Sequence, residues 1–467
     1  MSKADIGVVG IGVMGGNLAR NLESRGATVA LLDRDPETPR AFAARHAGRW
    51  VACASPAELV ASLTRPRRIL MMVNAGPAVD AVLGALGPHL EVGDIAVDGG
   101  NSHWEDTDRR LAAGAEAGWR FVGLGVSGGA RGALEGPSMM PGGDPEAYRA
   151  LEPLLTSIAA RSELGACVTW CGHGSAGHFT KMVHNGIEYG DMQLLAETWT
   201  LLREGLGLDP VATGEVFARW NAGSLESFLV EITSRIVAAP DPEGDGVLVD
   251  QVLDVAGQKG TGRWTSVAAL TAGVPLPTVT AAVDARVLSA MKGLRGEVEG
   301  ALGRAGGRVS GVTVDDLEAA LYAAKLVSYT QGFHLLRTAS AERGYATDLA
   351  EVARIWTAGC IIRAGFLEEV VAAFREAPDL ASLLLAPRFT AAVRERLPAL
   401  RRVVVGAMQA GLPVPGLAAS LSYLDTLARH EGSASLIQAQ RDWFGSHTYR
   451  RKSAPDTPVH TDWEALG

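Results

Sequence analysis

The sequence of 467 residues has only four cysteines, 6% aromatic residues and no excess of basic side chains. Four cysteines in so long a chain do not make a disulfide framework of the kind found in small secreted domains. The net charge of -9 argues against non-specific binding to nucleic acids or membrane surfaces, because both interactions require a basic surface. An anionic ligand would therefore have to be held by cations gathered at one place.

Long apolar runs are also missing. The longest suspicious uncharged stretch, residues 265–283, contains Pro275 and Pro277 and is a poor candidate for a membrane span. The first residues, MSKADIGVVGIG, lead directly into a strand-like run and lack the regions of a signal peptide. We therefore expect a cytoplasmic protein that binds neither membranes nor nucleic acids.

A metal site is the alternative to free thiols at one position, where Cys167 and Cys171 lie near His173. The nearby residues supply no fourth strong ligand, so a pair of reduced, partly buried thiols is the favoured interpretation. We expect no metal.

A glycine-rich turn follows the first strand-like run. Residues 5–10, DIGVVG, lead into Gly12 and Gly15, and an amphipathic helical pattern comes next. A second strand pattern ends at Asp33, roughly 20 residues beyond the turn. A strand, a G-x-G-x-x-G turn, a helix and a second strand ending in an acid favour dinucleotide binding over a purely structural turn.

Further strand patterns cover residues 67–73, 94–100 and 120–129, with helical segments between them. This alternation is typical of a doubly wound, mainly parallel sheet, in which ligands bind beyond the carboxyl ends of the strands. Each polar strand end could be a simple turn, but three together favour a binding crevice formed by Asn74, residues 98–102 and residues 127–129.

Beyond Ser175 the pattern changes to long helices, and two short motifs recur. The segment 179–184 parallels 322–328, and Trp220-Asn-Ala-Gly returns as Trp356-Thr-Ala-Gly. Tandem helical repeats would explain both matches, and chance similarity is the alternative. In the second copy, Lys325 corresponds to Lys181, and we expect Lys325 to have a structural role.

One helical segment carries polar side chains where packing residues are normally found. Lys181, His184, Asn185 and Glu188 have the spacing of a single helical face, which is either solvated or a site. A dinucleotide domain implies hydride transfer, and Lys181 could take the hydroxyl proton if burial or nearby cations lowered its pKa. Glu188 could be an acid if a poorly solvated site kept it protonated, with His184 and Asn185 binding substrate oxygens.

Other cations stand in short motifs around Lys259, Arg286 and Arg441, and each alone is most often a surface charge. The Lys259 segment is flanked by glycine and contains Thr261, so its donors could cradle a phosphate. The terminal segment SLIQAQRDWFGSHTY is aromatic and cationic, and should pack on its own helices or on a neighbouring subunit.

These motifs resemble the decarboxylating 6-phosphogluconate dehydrogenases nearly end to end. The similar segments include GVVGIGVMGGNLARN, DGGNS, GVSGGARGALEGPSMMPGG, GHFTKMVHNGIEYGDMQ, VAGQKGTGRWT and SLIQAQRDWFGSHTY. The resemblance implies an α/β plus all-α fold: a Rossmann-like doubly wound sheet over residues 1–176 and a large all-helical domain with internal duplication over 177–434. It also implies a C-terminal tail over 435–467 that threads into the partner of a homodimer.

The resemblance further implies an activity and a set of site residues. The C3 hydroxyl of 6-phosphogluconate would be oxidised with NAD or NADP, CO2 lost without a metal, and an enediol protonated to ribulose 5-phosphate, in the pentose phosphate pathway. Lys181 would be the base and then an acid, and Glu188 the acid of the enediol step. The implied substrate contacts are Asn101, Ser127, Gly128, Gly129, His184 and Asn185 around the sugar acid, Tyr189, Lys259, Thr261 and Arg286 at the phosphate, and Arg441 and His447 from the other subunit. The implied cofactor contacts are Gly10, Gly12, Val13, Met14, Gly15, Asp33, Arg34, Val73, Asn74, Ala75 and Asn101.

The sequence departs from the family pattern at three places. The usual Asn-Arg-Thr after the second strand is Asp33-Arg34-Asp35, and the carboxylate of Asp33 should accept the ribose 2′-hydroxyl and repel a 2′-phosphate. We therefore predict a preference for NAD, although Arg34 could stack on adenine or accommodate NADP. The usual Lys near the cofactor is Asn74, and the usual Glu-Glu after Ser-Gly-Gly is Ala130-Arg131, which puts one contact to the nicotinamide amide in doubt.

Two other functions are consistent with parts of the pattern. A related β-hydroxyacid dehydrogenase would act on another substrate, but the phosphate-binding positions and the long tail argue against it. A dinucleotide-binding sensor or structural protein would have lost catalysis, and the intact Lys181 and Glu188 argue against that.

Overall fold

The N-terminal part of the computed structural model, which describes residues 3–466, is a single sheet with helices on both faces. Its strands are β1 Ile6–Val9, β2 Val29–Leu32, β3 Trp50–Ala52, β4 Arg68–Met71, β5 Ile95–Asp98, β6 Arg120–Ser127 and β7 Ser138–Gly143. Its helices are α1 Val13–Ser24, α2 Glu37–Arg45, α3 Pro56–Ser62, α4 Pro77–Leu86, α5 Trp104–Ala117, α6 Gly129–Glu135 and α7 Pro145–Ile158. A short strand pair, β8 Arg161–Ser162 and β9 Gly165–Ala166, follows.

The sheet has the strand order β3-β2-β1-β4-β5-β6-β7. All neighbours are parallel except β6 and β7, which pair antiparallel from Val122↔Gly143 to Ser127↔Ser138. The sequence analysis did not identify β3, which is three residues long, or β7, whose glycines and proline are weak strand formers. The order reverses between β1 and β4, and the carboxyl ends of these strands therefore border the expected ligand crevice.

The following part of the chain is helical. Its helices are α8 Ala176–Thr200, α9 Pro210–Asn221, α10 Phe228–Ile236, α11 Thr261–Thr271, α12 Pro277–Ala290, α13 Lys292–Leu302, α14 Val314–Arg343, α15 Leu349–Ile355, α16 Leu367–Glu376, α17 Pro387–Gln409 and α18 Pro415–Leu427. The long helices α8 and α14 pack against each other and are buried on nearly all sides around their middles. A helix buried all round must satisfy any polar side chain within the protein.

The two halves of the helical part follow the same order. A long helix, α8 or α14, is followed by two shorter ones, and Trp220 and Trp356 are fully buried at corresponding positions. Backbone bridging between Ser227 and Ala364 joins the two halves. The predicted fold class, a Rossmann-like sheet followed by a large helical domain, is confirmed.

The chain divides into one compact unit that ends at Ser420 and a second that begins at Leu421. The second unit contains α19 Ala434–Gly445 and a hairpin of β10 Tyr449–Arg451 and β11 Ala454–Val459, which the sequence analysis did not predict. Asp442 organises this unit, because its fully buried carboxylate accepts bonds from the Thr448 and Thr461 N–H groups and from the Trp463 indole. Among residues 3–466, no helix is long and apolar enough to span a membrane.

Candidate active site

The glycine turn between β1 and α1 has the shape that a dinucleotide phosphate requires. Gly10 has a φ of +92°, and a Cβ added to Gly15 would lie 1.9 Å from the carbonyl oxygen of Gly10. A Cβ at Gly12 would meet nothing within 4 Å, and Val13 is 70% exposed, so the start of α1 is open. No side chain caps this helix, and its first N–H groups are available to an anion.

Asp33 stands at the end of β2 and is tied to the same turn. Its Oδ2 accepts the Ile11 N–H at 2.6 Å, which orients the carboxylate toward the open start of α1. Arg34 is exposed beside it, as are Asn74 and Ala75 in the loop after β4. These positions lie at neighbouring carboxyl ends of the sheet, where the sequence predicted cofactor contacts.

The loop after β5, which carries Asn101, is held by a buried network. Asp98 accepts bonds from the Ser102 hydroxyl at 2.6 Å and the Gly100 N–H at 3.0 Å. Arg110 on α5 donates to Asp98 at 3.3 Å and to the carbonyl oxygen of Gly76 at 3.0 Å, and so joins the loops after β4 and β5. Sequence reasoning missed Arg110, because a single arginine in an amphipathic helix carries no distinguishing signal.

The polar stripe of α8, formed by Lys181, His184, Asn185 and Glu188, meets the end of β6 inside the protein. Nε2 of His184 lies 3.1 Å from the Ser127 hydroxyl, and its Nδ1 lies 3.1 Å from Oδ1 of Asn185. Nζ of Lys181 is 3.5 Å from the same imidazole and is buried. The stripe is therefore not a solvated face.

Burial shifts the pKa values of the two candidate proton-transfer groups, Lys181 and Glu188, in opposite directions. It lowers the pKa of Lys181 below the usual lysine value, although Glu188 opposes this shift. It raises the pKa of Glu188 above the usual glutamate value, against the effects of Lys181 and Arg286. Burial and the nearby Lys181 also hold the pKa of His184 well below its usual value. A base is thereby favoured in its neutral form and an acid in its protonated form.

A second cluster extends the stripe towards α11 and α12. Nδ2 of Asn185 donates to the hydroxyl of Thr261 at 3.3 Å, and the guanidinium of Arg286 lies 3.5 Å from the centroid of the Tyr189 ring. Lys259 is exposed just before α11. Four of the positions predicted to bind the phosphate are thus on neighbouring segments, with hydroxyl and cationic donors.

The turn between β6 and α6 is close to the helical half of the first unit. Gly128 and Gly129 have φ values of +112° and +64°, and a Cβ at Gly128 would lie 2.7 Å from the carbonyl oxygen of Gly359. Ala130 accepts a bond from the Asn17 amide through its carbonyl oxygen at 2.7 Å, so this turn is fixed to α1. Arg131, which replaces an expected acid, is 86% exposed and pairs with Glu135 at 2.8 Å.

Two family models divide the chain between them. One, described as the NAD binding domain of 6-phosphogluconate dehydrogenase, matches residues 5–172, and one described as its C-terminal domain matches residues 177–463. The chain belongs to the 6-phosphogluconate dehydrogenase family. It is therefore an oxidoreductase, and the predicted family resemblance is confirmed.

Full-length relatives within the 6-phosphogluconate dehydrogenase family include a decarboxylating 6-phosphogluconate dehydrogenase of Synechocystis sp., which is 50% identical over 99% of this chain and 98% of its own. An NADP(+)-dependent, decarboxylating relative from Bacillus subtilis is 46% identical over 99% of this chain and 100% of its own. Plasmodium falciparum 6-phosphogluconate dehydrogenase, described in its apo form and with NADP+ or 6-phosphogluconate, superposes with a TM-score of 0.94 at 39% identity, covering 98% of this chain and 100% of that one.

Residues that sequence reasoning did not select also surround the stripe in this 6-phosphogluconate dehydrogenase family member. The ring of Trp356 lies 5.7 Å from that of His184, and the buried thiol of Cys360 is close enough to affect the pKa of Lys181. Lys325, for which only a structural role was expected, pairs with Asp191 on α8 at 2.5 Å. Within residues 3–466, no group of three or more His, Cys, Asp or Glu side chains could hold a metal ion.

The predicted tail contacts of this family member lie in the second unit. Arg441 on α19 donates to Gln438 at 3.1 Å, and the His447 ring packs 6.0 Å from that of Phe444. Their contribution to a neighbouring subunit stays a prediction.

Proposed function

We propose that this chain oxidises 6-phosphogluconate at C3, releases CO2 and forms ribulose 5-phosphate, with Lys181 and Glu188 as the proton-transfer groups. The observation that carries the proposal is one buried helical face on which burial favours a neutral lysine and a protonated glutamate. Family membership and the donors around Tyr189 and Arg286 support a phosphorylated sugar acid as the substrate.

In the first step, neutral Lys181 removes the proton of the C3 hydroxyl as the C3–H hydride leaves. A nicotinamide dinucleotide, when bound at the turn formed by Gly10, Gly12 and Gly15, supplies the hydride acceptor. His184 and Ser127 would orient the hydroxyl groups of the sugar acid, because their own bond at 3.1 Å fixes both side chains.

In the second step, the C3 ketone is polarised by Lys181, now an ammonium group. The bond between C1 and C2 breaks and CO2 leaves. The electron pair of that bond forms the enediol, while Lys181 returns the proton to the C3 oxygen. The ammonium group provides the positive charge that a metal would otherwise supply, and we expect no metal requirement.

In the third step, Glu188 donates its proton to the enediol carbon, and Lys181 takes up the proton of the enediol hydroxyl. Glu188 suits this role because burial keeps its carboxyl group protonated. Ribulose 5-phosphate results, and both side chains then exchange protons with solvent to return to their starting states.

NAD is the cofactor that Asp33 favours. Oδ2 of Asp33 accepts the Ile11 N–H at 2.6 Å. Oδ1 is then left to accept a ribose 2′-hydroxyl and to repel a 2′-phosphate. Asn74 supplies no positive charge where the family pattern has a lysine. This chain carries Asp33-Arg34-Asp35 at the end of the second strand, and we therefore infer a preference for NAD over NADP.

A homodimer that exchanges tails is the assembly we propose. Exposed apolar side chains occur on the segments around α11 to α13, including Leu253 at 69% and Leu302 at 83%, and on α19, where Phe444 is 73% exposed. Apolar surface of this kind marks interaction sites. Arg441 and His447 would then reach the substrate of the neighbouring subunit.

The test uses purified protein with 6-phosphogluconate and either NAD or NADP. Reduced nicotinamide and CO2 should form in equal amounts, with the higher kcat/KM for NAD. Absence of turnover with both cofactors would refute the proposed activity.

A further inference from the structure

A second buried histidine lies on α8, one helical turn before Lys181. The side chain of His178 is buried, and its Nε2 lies 3.1 Å from the backbone carbonyl oxygen of Asp98, the last residue of β5. Its Nδ1 lies 2.6 Å from the hydroxyl of Thr107 on α5. Burial lowers the pKa of this imidazole and favours its neutral form. Because a carbonyl oxygen can only accept, Nε2 carries the proton and Nδ1 accepts from Thr107.

The carbonyl oxygen that His178 contacts belongs to the residue that shapes the loop after β5. The carboxylate of Asp98 accepts the Gly100 N–H at 3.0 Å and the Ser102 hydroxyl at 2.6 Å, on either side of Asn101. Asn101 is exposed, whereas Asp98 and Ser102 are buried. The bond from His178 therefore joins α8 to the base of the loop that carries Asn101.

Two imidazoles attach α8 to the sheet on either side of Lys181. His178 reaches the end of β5 three residues before Lys181, and His184 reaches Ser127 at the end of β6 three residues after it. The helix also packs closely on β6, where a Cβ added to Gly125 would lie 2.4 Å from the Cβ of Lys181. The proposed base is therefore fixed to both strand ends that carry predicted substrate contacts.

Packing alone does not require a histidine at this position. A Cβ added to Gly123 of β6 would lie 2.8 Å from Nδ1 of His178, so the glycine makes room for the ring. An apolar side chain of similar size could occupy the same space without taking two ring nitrogens out of water. The imidazole instead makes two directional bonds, and these determine where α8 lies relative to the loop after β5.

We propose that His178 is a positioning residue that sets the distance between Lys181 and the loop that carries Asn101. The inference rests on the proposed function and concerns its first step. In that step the C3–H hydride passes to the nicotinamide, the C3 hydroxyl proton passes to Lys181, and the C3–O bond becomes a carbonyl. Cofactor, substrate and base must be aligned at the same moment. His178 itself transfers no proton.

Three variants separate the two bonds of the ring. His178→Leu removes both bonds, whereas the side-chain amide of His178→Gln can still donate to the Asp98 carbonyl oxygen. Thr107→Val removes only the hydroxyl that faces Nδ1. The rate constant of hydride transfer is measured by rapid mixing with saturating 6-phosphogluconate and either NAD or NADP, and substrate deuterated at C3 identifies the step by its isotope effect. A rate constant does not depend on the fraction of folded protein, so a loss of stability alone would not change it.

The rate constant should fall by about tenfold to a hundredfold in His178→Leu, with the isotope effect retained, because base and hydride acceptor are no longer held in register. His178→Gln should recover most of this loss. Thr107→Val should lower the rate constant by about threefold or more, since the ring keeps its bond to Asp98 and loses the bond that orients it.

Tyr345→Phe is the matched control, because the Tyr345 hydroxyl lies 2.8 Å from the hydroxyl of Ser175 at the start of the same helix and both residues are buried. This variant should lower the melting temperature and leave the rate constant within about twofold of wild type.

A rate constant within about twofold of wild type in His178→Leu, or in Thr107→Val if His178→Leu does not fold, would overturn the inference. Equal losses in His178→Leu and His178→Gln would overturn it as well, because the bond to Asp98 would then have no effect. A wild-type protein that forms no reduced nicotinamide with either cofactor would instead refute the proposed function, so the two failures are distinguishable.

Discussion

Replacing Asp33 by Asn should move the cofactor preference of this enzyme towards NADP. Oδ2 of Asp33 accepts the Ile11 N–H at 2.6 Å, and the amide oxygen of Asn can accept the same bond. The glycine turn should therefore keep its shape while the negative charge is lost. The substitution isolates the electrostatic contribution of one carboxylate to cofactor choice.

The expected magnitude follows from the charge of a 2′-phosphate. Two like charges about 6 Å apart repel by on the order of 3 kcal/mol at an effective dielectric constant of about 20, and salt reduces this to roughly 1 to 3 kcal/mol. Since about 1.4 kcal/mol is tenfold, the ratio of kcat/KM for NADP to that for NAD should rise by about 5-fold to 150-fold in Asp33→Asn.

The assay measures initial rates with 6-phosphogluconate at saturation while each cofactor is varied. Glu37→Gln is the control, because Glu37 is an exposed acid at the start of α2, outside the Asp33-Arg34-Asp35 segment, and pairs with Arg40. Its ratio should stay within about threefold of wild type. A wild-type preference for NADP, or an Asp33→Asn ratio that changes as little as the control, would refute the reasoning.

Three further predictions concern pH, stability and assembly. The value of kcat/KM should rise with pH as Lys181 loses its proton, and this rise should occur below the usual lysine range. It should fall at higher pH as Glu188 loses its proton. In the Glu188→Gln variant, the residual activity should lack this fall. Burial raises the pKa of Glu197 from 4.5 to about 7. The free energy of unfolding should therefore decline by roughly 3 kcal/mol as pH rises through that interval. Denaturant titrations of Glu197→Gln should show an unfolding free energy that depends less on pH. Mixing Arg441→Ala protein with Lys181→Met protein should restore some activity in mixed dimers, and no rescue after confirmed subunit exchange would place Arg441 at the site of its own subunit.

Local signals were sufficient for much of the fold and for the stripe on α8. The glycine turn, the strand ending at Asp33 and the polar spacing from Lys181 to Glu188 each depend on residues within one or two neighbouring elements. Periodicity of this kind predicts an element and its faces directly. The helix at 176–200 and five strands of the sheet were therefore predicted from the chain itself, and the family resemblance supplied the domain boundaries.

Long-range partners could not be predicted in the same way. Arg110 meets Asp98 and Gly76 only because the sheet brings two loops together, and Lys325 meets Asp191 across a sequence separation of 134 residues. The strand β7 was missed because its glycines and proline oppose strand formation, and its pairing with β6 and burial override that preference. Such contacts depend on tertiary packing and leave no periodic signal.

The central claim is that Lys181 is the base of the oxidation step, and Lys181→Met tests it most directly. The side chain is buried, so an apolar replacement of similar length should preserve the fold and the binding of both ligands. With 6-phosphogluconate and NAD, formation of reduced nicotinamide should fall by about a thousandfold or more, while the dissociation constants measured by calorimetry stay within about threefold of wild type. Oxidation at a rate near that of the wild type would contradict the account.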